Sequence, residues 1–237
     1  MPAKKPRVAR KSPAPKETEK KTLKKSPRRD LPRREPPTSE KSRETYGKLL
    51  DAAGQLLGEV GFEKLTTNAI CARAGMTPPA LYNYFSDKYE ILEALAQRLL
   101  KRQNDAYAVW LFQGDSWSNL EKQVEFLEGW YRIAADIIAT EPGAQWTMRA
   151  LRAMPKLAHI RVESQRMNTD RLFEFYRRIR PDLDPELLWV RLRIRIECGW
   201  VVDELAMEED KIPHDVLFHE VASLLGPPPA APGRKSP

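Results

Sequence analysis

Thr66-Thr67-Asn68-Ala69-Ile70-Cys71-Ala72-Arg73-Ala74-Gly75-Met76-Thr77-Pro78-Pro79-Ala80-Leu81-Tyr82-Asn83-Tyr84-Phe85 is the stretch on which the fold of this chain turns. It reads as two short helices about a tight turn, the plan of a helix-turn-helix DNA reader. Ala69, Ile70 and Ala74 share one face of the first helix, and Thr66 or Thr67 can cap its start. Gly75 stands where a chain leaves a helix through a left-handed conformation. Thr77 can cap the second helix. Pro78 follows at the first helical position, where a missing N–H costs nothing. Leu81 and Phe85, four apart, make a face to bury, which leaves Ala80, Tyr82, Asn83 and Tyr84 on the others.

Upstream runs Tyr46-Gly47-Lys48-Leu49-Leu50-Asp51-Ala52-Ala53-Gly54-Gln55-Leu56-Leu57-Gly58-Glu59-Val60-Gly61-Phe62, and downstream Ser86-Asp87-Lys88-Tyr89-Glu90-Ile91-Leu92. With the reader segment these resemble the DNA-binding domain of the TetR family of bacterial one-component transcriptional regulators. The anchors that carry the resemblance are Gly61, Phe62, Thr66, Thr67, Ile70, Ala74, Gly75, Leu81, Tyr82, Tyr84, Phe85 and Lys88. They keep their order and spacing over roughly residues 42–95. The rest of the chain resembles the family in length and helical character only.

The resemblance implies an all-α protein with an N-terminal three-helix DNA-binding domain and a C-terminal helical domain for ligand binding and dimerisation. Thr77, Tyr82, Tyr84 and Lys88 match positions that commonly contact phosphates in the family. Pro78, Pro79, Ala80 and Asn83 match positions that face base edges. Thr67, at a helix N-terminus, can hold a phosphate, and Arg43 and Lys48 can flank the same backbone. One departure stands out. Many members carry Lys-Gly where this chain has Pro78-Pro79, and often Arg where it has Asn83. Two donors and a positive charge are lost there, so base readout should rest on Asn83 to adenine and apolar contact to thymine methyls.

Composition sets the outer bounds. The chain has 237 residues, 41% of them hydrophobic, enough for one or two domains with a sizeable core. No apolar run approaches the roughly 20 residues of a membrane span, and no apolar segment follows the charged N-terminus as in a secretory signal. Cys71 and Cys198, the two cysteines, lie in apolar helical patterns and read as buried free thiols of a cytoplasmic protein. The formal net charge of +7 is uneven. Residues 1–40 hold 14 Lys or Arg against 5 acids, whereas the remainder holds 26 against 28.

Four segments are therefore expected. Residues 1–40 form a disordered, basic, Pro-rich arm able to bind phosphates without reading sequence. Residues 41–90 form the DNA-binding domain, 91–226 the helical effector-binding and dimerisation domain, and 227–237 a disordered tail. Helical periodicity predicts helices over about 42–60, 87–112, 156–180 and 214–225. A helix starting at Ser118 or Asn119 ends at Glu141-Pro142-Gly143, and a short one from Ala144 stops before Pro155. Asp184-Pro185-Glu186 opens another. Within that helix Val190-Arg191-Leu192-Arg193-Ile194-Arg195-Ile196 alternates like a strand, but three-and-four spacing continues past both ends and favours helix.

Aromatic residues concentrate in the middle of the chain. Trp110, Phe126, Trp130, Tyr131, Trp146 and Phe173 are candidates to line an effector pocket, or else are core aromatics. By resemblance the last two long helices pair with a second copy. Ile194, Cys198, Val201, Val202 and Leu205, with Val216, Leu217, Val221 and Leu224, are the interface candidates; the alternative is an intramolecular core. A dimer suits a palindromic DNA site. His159, His214 and His219 are the only histidines and do not form a metal set, and no phosphate loop or nucleophile motif occurs. No enzyme, cofactor or membrane partner is called for. The sequence thus points to a homodimeric transcriptional regulator, a repressor, that binds a palindromic operator in double-stranded DNA and is released by a small molecule. The rival reading is an architectural protein binding DNA with little specificity through its basic arm.

Overall fold

The computed structural model describes residues 37–113 and 120–226. The basic arm, the tail, Trp117 and the expected helix start at Ser118 or Asn119 lie outside them, apart from Pro37–Glu40 at the arm's end. Among the described residues there are nine helices and no strand. The head comprises α1 (Glu40–Lys64), α2 (Thr67–Ala74), α3 (Pro78–Tyr82) and the start of α4 (Lys88–Phe112). The body continues through α5 (Leu120–Thr140), α6 (Ala144–Ala153), α7 (Ala158–Ile179), α8 (Pro185–Glu208) and α9 (His214–Leu224).

Caps fix the helix starts. Ser39 accepts from Ser42 N, Thr66 from Ala69 N, Asp87 from Tyr89 N and Glu90 N, and Asp184 from Leu187 N. Thr77 precedes α3 without any side-chain cap hydrogen bond, contrary to the expected cap. Pro78 and Pro79 occupy the first α3 positions, so the second-position N–H that a cap would serve is missing, and the Ala80 N–H donates to the Thr77 carbonyl at 3.0 Å instead. The Val190–Ile196 segment is helical, as three-and-four spacing predicts. Its alternating arginines emerge on the half-exposed flanks of α8, where Arg193 donates to Gln165 and Arg195 to Tyr176.

One apolar core joins α1 to α4 with α6 and includes Leu50, Leu57, Ile70, Leu81, Phe85 and Met148. A second joins α4, α5, α7, α8 and α9 around Tyr107, Tyr131, Leu172, Tyr176, Leu192 and Phe218. Helix α4 belongs to both. At 1.5 Å per residue, roughly 22 Å of rigid helix separates Lys88, under the head, from Gln103 in the body.

Head and body meet where α1 crosses the turn before α6. A Cβ on Gly54 would overlap the Pro142 carbonyl, and one on Gly143 would fall 2.5 Å from the Gly54 carbonyl oxygen. Beside this contact Arg98 of α4 donates to Asp51 of α1 at 2.7 Å and ion-pairs with Glu141 at 2.6 Å, while Arg102 donates to Glu141 at 3.2 Å. Gly54 is thus a packing requirement, whereas Gly58 has open space around it. Gly54→Ala should cost about 1–3 kcal/mol by forcing the two backbones apart. Gly58→Ala should gain up to about 1 kcal/mol from helix propensity. Chemical denaturation of both variants checks this; equal effects would refute the contact.

Candidate DNA-reading head and helical cavity

The reader segment is held by its apolar side. Ile70, Leu81 and Phe85 are buried against α1 and α4, and Ala74 is half-buried. Gly75 takes φ 65°, ψ 32°, a conformation that a side chain would strain, and its N–H closes the end of α2 on Ala72 and Cys71. Pro78, Pro79, Thr77, Tyr82 and Asn83 are exposed, and Ala80 is half-buried. α3 has only five residues, so Asn83 lies at its C-terminal boundary.

The other head candidates differ in their surroundings. Arg43 is exposed at the start of α1. Lys48 is exposed and pairs with Glu44 at 2.6 Å. The Thr67 hydroxyl and the Tyr82 phenol are 3.2 Å apart, which ties α2 to α3 at the surface. Tyr84 is half-buried, shares a hydrogen bond with Ser42 at 3.0 Å and meets the Tyr46 ring edge-on. Lys88 turns inward to donate to the carbonyls of Phe62 and Glu63 at 2.9 and 3.3 Å, its ammonium over the Phe62 ring. It satisfies carbonyls left open where Gly61, at φ 72°, breaks the last turn of α1. Arg73 clasps Glu59 through both carboxylate oxygens at 2.8 and 2.7 Å, and this pairing holds the Glu59 carboxyl below its usual range. Nothing in the spacing of Glu59 and Arg73 announces that clasp.

In the body, α4, α5, α7 and α8 enclose a cavity of about 60 Å³. Of the six aromatic candidates, Trp110, Trp130 and Tyr131 line it. Phe126 stands behind, stacked on Trp110 at 4.1 Å, its carbonyl accepting from the Trp110 indole N–H. Trp146 packs on Gly61 beneath Arg149, and Phe173 lies beside Arg177. Tyr107 meets Trp130 edge-on at 4.7 Å and completes an aromatic wall.

Polar side chains of α4, α7 and α8 share the lining, a feature sequence reading missed. Asn104 Oδ1 accepts from Ser164 at 2.9 Å and Asn168 at 2.7 Å. Gln165 Oε1 accepts from Arg161 and Arg193, while its amide nitrogen is buried without a partner. Arg195 donates to the Tyr176 phenol at 3.0 Å. Burial lifts the phenols of Tyr107 and Tyr131, the latter to about 12. The usable sequence signal was polar residues set inside apolar stripes: Gln103 four residues after Leu99, and Asp203 seven after Ile196.

On α8 and α9 the interface candidates divide. Val202 and Leu217 are buried, and Cys198 and Val221 are half-buried. Cys198 is thus less enclosed than the expected buried thiol, while Cys71 is buried. Ile194 (57% exposed), Val201 (53%), Leu205, Val216 and Leu224 (82%) face outward without cover. Leu187 and Val190 extend the α8 stripe. Among the described residues no helix is long and apolar enough to cross a membrane, and no three His, Cys, Asp or Glu gather as a metal site.

Asp203 faces the cavity from α8, and burial, helped by neighbouring Glu204, raises its carboxyl to about 7 from an ordinary 3.8. Folding therefore retains a proton that the unfolded chain releases above about pH 4. The resulting penalty grows as pH rises from about 4 to 7 and is full above about 7. Asp203→Asn, which cannot ionise, should melt several degrees above the parent at about pH 8, with the gap closing toward pH 4. Thermal melts at the two pH values check this, and a pH-independent gap would contradict it.

Residues 49–95 match the profile described as bacterial regulatory proteins, tetR family. Tetracycline repressor protein class D of Escherichia coli is 37% identical over 71 residues, which are 30% of this chain and 32% of the repressor. The class C repressor of Escherichia coli is 42% identical over 52 residues, 22% of this chain and 24% of that protein. The chain thus spans about a third or less of the curated relatives it matches. Over most of the chain the likeness is one of fold. The fatty acid degradation regulator FadR of Bacillus halodurans superposes with a TM-score of 0.59 at 20% identity, covering 76% of this chain and 94% of that one.

Proposed function

Through its head the chain belongs to the TetR family of bacterial regulatory proteins, and from that premise we propose that it is a homodimeric, cytoplasmic repressor of transcription. It binds a palindromic operator and is released by a small molecule bound in the cavity of the body. The observation that carries this reading is the head: the reader segment buries Leu81 and Phe85 while Pro78, Pro79, Tyr82 and Asn83 are exposed. A short helix so held can enter a major groove with its N-terminal residues against base edges. Thr67 and the first N–H groups of α2, which a helix cannot satisfy internally, suit a phosphate. Arg43, Thr77, Tyr82 and Tyr84 flank that site. Lys88 acts chiefly through the carbonyls it caps. No reaction is asked of the protein.

One α3 reaches only a few base pairs, so the reading needs two heads. The outward stripe Leu187, Val190, Ile194, Val201 and Leu205 recurs at three, four and seven, the spacing by which one helix buries a face against another. With Val216 and Leu224 it supplies the dimer surface. Ile194→Glu combined with Val201→Glu should convert a dimer to monomers in sedimentation equilibrium and abolish operator binding with helicity kept. A double variant that remains dimeric would remove α8 from the interface.

Release follows from linkage. A ligand must widen so small a cavity, which displaces α4, and α4 carries the head at its other end. DNA affinity then falls by the ligand's differential preference for the widened form. Selection of bound fragments from sheared genomic DNA with the full chain should return one shared palindrome. Asn83→Ala should then lose about 1–3 kcal/mol of discrimination at one base position of each half-site. Fragments with no common motif and a steep salt dependence would instead favour nonspecific binding through the arm.

A further inference from the structure

Three polar groups on the cavity wall have nothing in the chain to bind: the Asp203 carboxyl, the Gln103 amide and the Gln165 amide nitrogen. Asp203, half-buried, lines the cavity, and its carboxyl makes no hydrogen bond or ion pair among the described residues. Gln103, only 7% exposed, likewise makes none with its amide. Their neighbours in the cavity are engaged: Asn104 with Ser164 and Asn168, and Arg195 with Tyr176. A buried polar group without a partner costs stability, and a carboxylate more than an amide. Such groups persist in a cavity when something outside the chain completes them.

The remaining lining says what that is. Tyr107, Trp110, Trp130, Tyr131 and Trp200 surround the space. Aromatic faces carry negative charge density and attract cations, and the Asp203 carboxyl adds a full negative charge at the same place. The cations at hand are turned elsewhere. Arg152 pairs with Glu204 at 2.6 Å, and Arg161 and Arg193 pair with Glu197. Arg195 lies eight residues before Asp203 on α8, about 12 Å along the helix. Also lining the cavity are the neutral Gln103 and Tyr107 of α4, Tyr131 of α5 and the Tyr176-bound Arg195 of α8, and next to Asp203 in the chain stands the like-charged Glu204.

We propose that the cavity, once widened beyond its present volume of about 60 Å³, takes a planar, cationic nitrogen compound, its rings held among the aromatic side chains and its protonated nitrogen donating to Asp203. The inference rests on the reading of this cavity as an effector site. Gln103 supplies a second hydrogen bond to the same end of the ligand. A cation brought to Asp203 also offsets the burial that otherwise disfavours its ionised form. A neutral ring of the same shape leaves both groups unmatched.

Two fluorescent tricycles of similar shape separate these cases: proflavine, cationic at neutral pH, and acridone, which is neutral. Binding to the full-length dimer, without DNA, is read by equilibrium dialysis and by quenching of tryptophan fluorescence at about pH 8, where Asp203 is ionised. The parent should bind proflavine at least about tenfold more tightly than acridone. Asp203→Asn should bring the two within about twofold of each other. Gln103→Leu should weaken proflavine with Asp203 intact, and Arg178→Gln, outside the cavity, should change neither. Far-UV circular dichroism confirms that each variant is folded. Equal affinities in the parent, a preference that survives Asp203→Asn, or no saturable binding of either dye would each overturn the proposal. Proflavine binding that leaves operator affinity unchanged would keep the ligand class and remove the effector role.

Discussion

The contact of Gly54 with Pro142 and Gly143 is the constraint on which the rest of the molecule leans. Two backbones meet where no side chain fits, and the Asp51–Arg98–Glu141–Arg102 cluster closes over them. A helix of the head is thereby fixed to the turn that launches α6. Close-packed interiors do not deform continuously, so a displacement in the body is transmitted or blocked at such a contact. Glu141 is the member with most at stake. Its side chain is largely buried between two arginines, and a carboxylate in that position needs both.

Helix α4 provides the second route between the two ends. Its first turn is pinned by Asp87 and Lys88 to the end of α1, and its later turns carry Gln103, Asn104, Tyr107 and Trp110 into the cavity. A helix is stiff along its axis, so α4 links these residues to the end of the head on which the reader segment packs. Aromatic rings of α4, α5 and α8 share the lining with amides, a hydroxyl and an acid of α4, α7 and α8; the Asn104 cluster is occupied, whereas Gln103, Asp203 and the Gln165 amide nitrogen are not.

The all-α class, the order of the helices and the head were legible in the chain because the forces that set them are local. Capping by Thr66, Asp87 and Asp184, the left-handed exit at Gly75, and three-and-four burial of Ile70, Leu81 and Phe85 each act within a few residues. Residue type and spacing carry that information directly. Even the strand-like alternation of Val190–Ile196 yielded to the longer helical period. Thr77 was the local exception, since Pro79 removes one donor that a cap would use and the Ala80 N–H goes to the Thr77 carbonyl.

What only the tertiary structure decided depends on partners distant in sequence. Which aromatics face the cavity was set by the packing of α4 against α5, which put Trp110, Trp130 and Tyr131 inside and left Trp146 against Gly61. The inward turn of Lys88, the Glu59–Arg73 clasp and the Gly54 seat join residues from different helices. The unmatched Asp203 and Gln103 were equally hidden. A polar residue in an apolar stripe announces itself in sequence, but whether the fold gives it a partner is decided only when the helices meet.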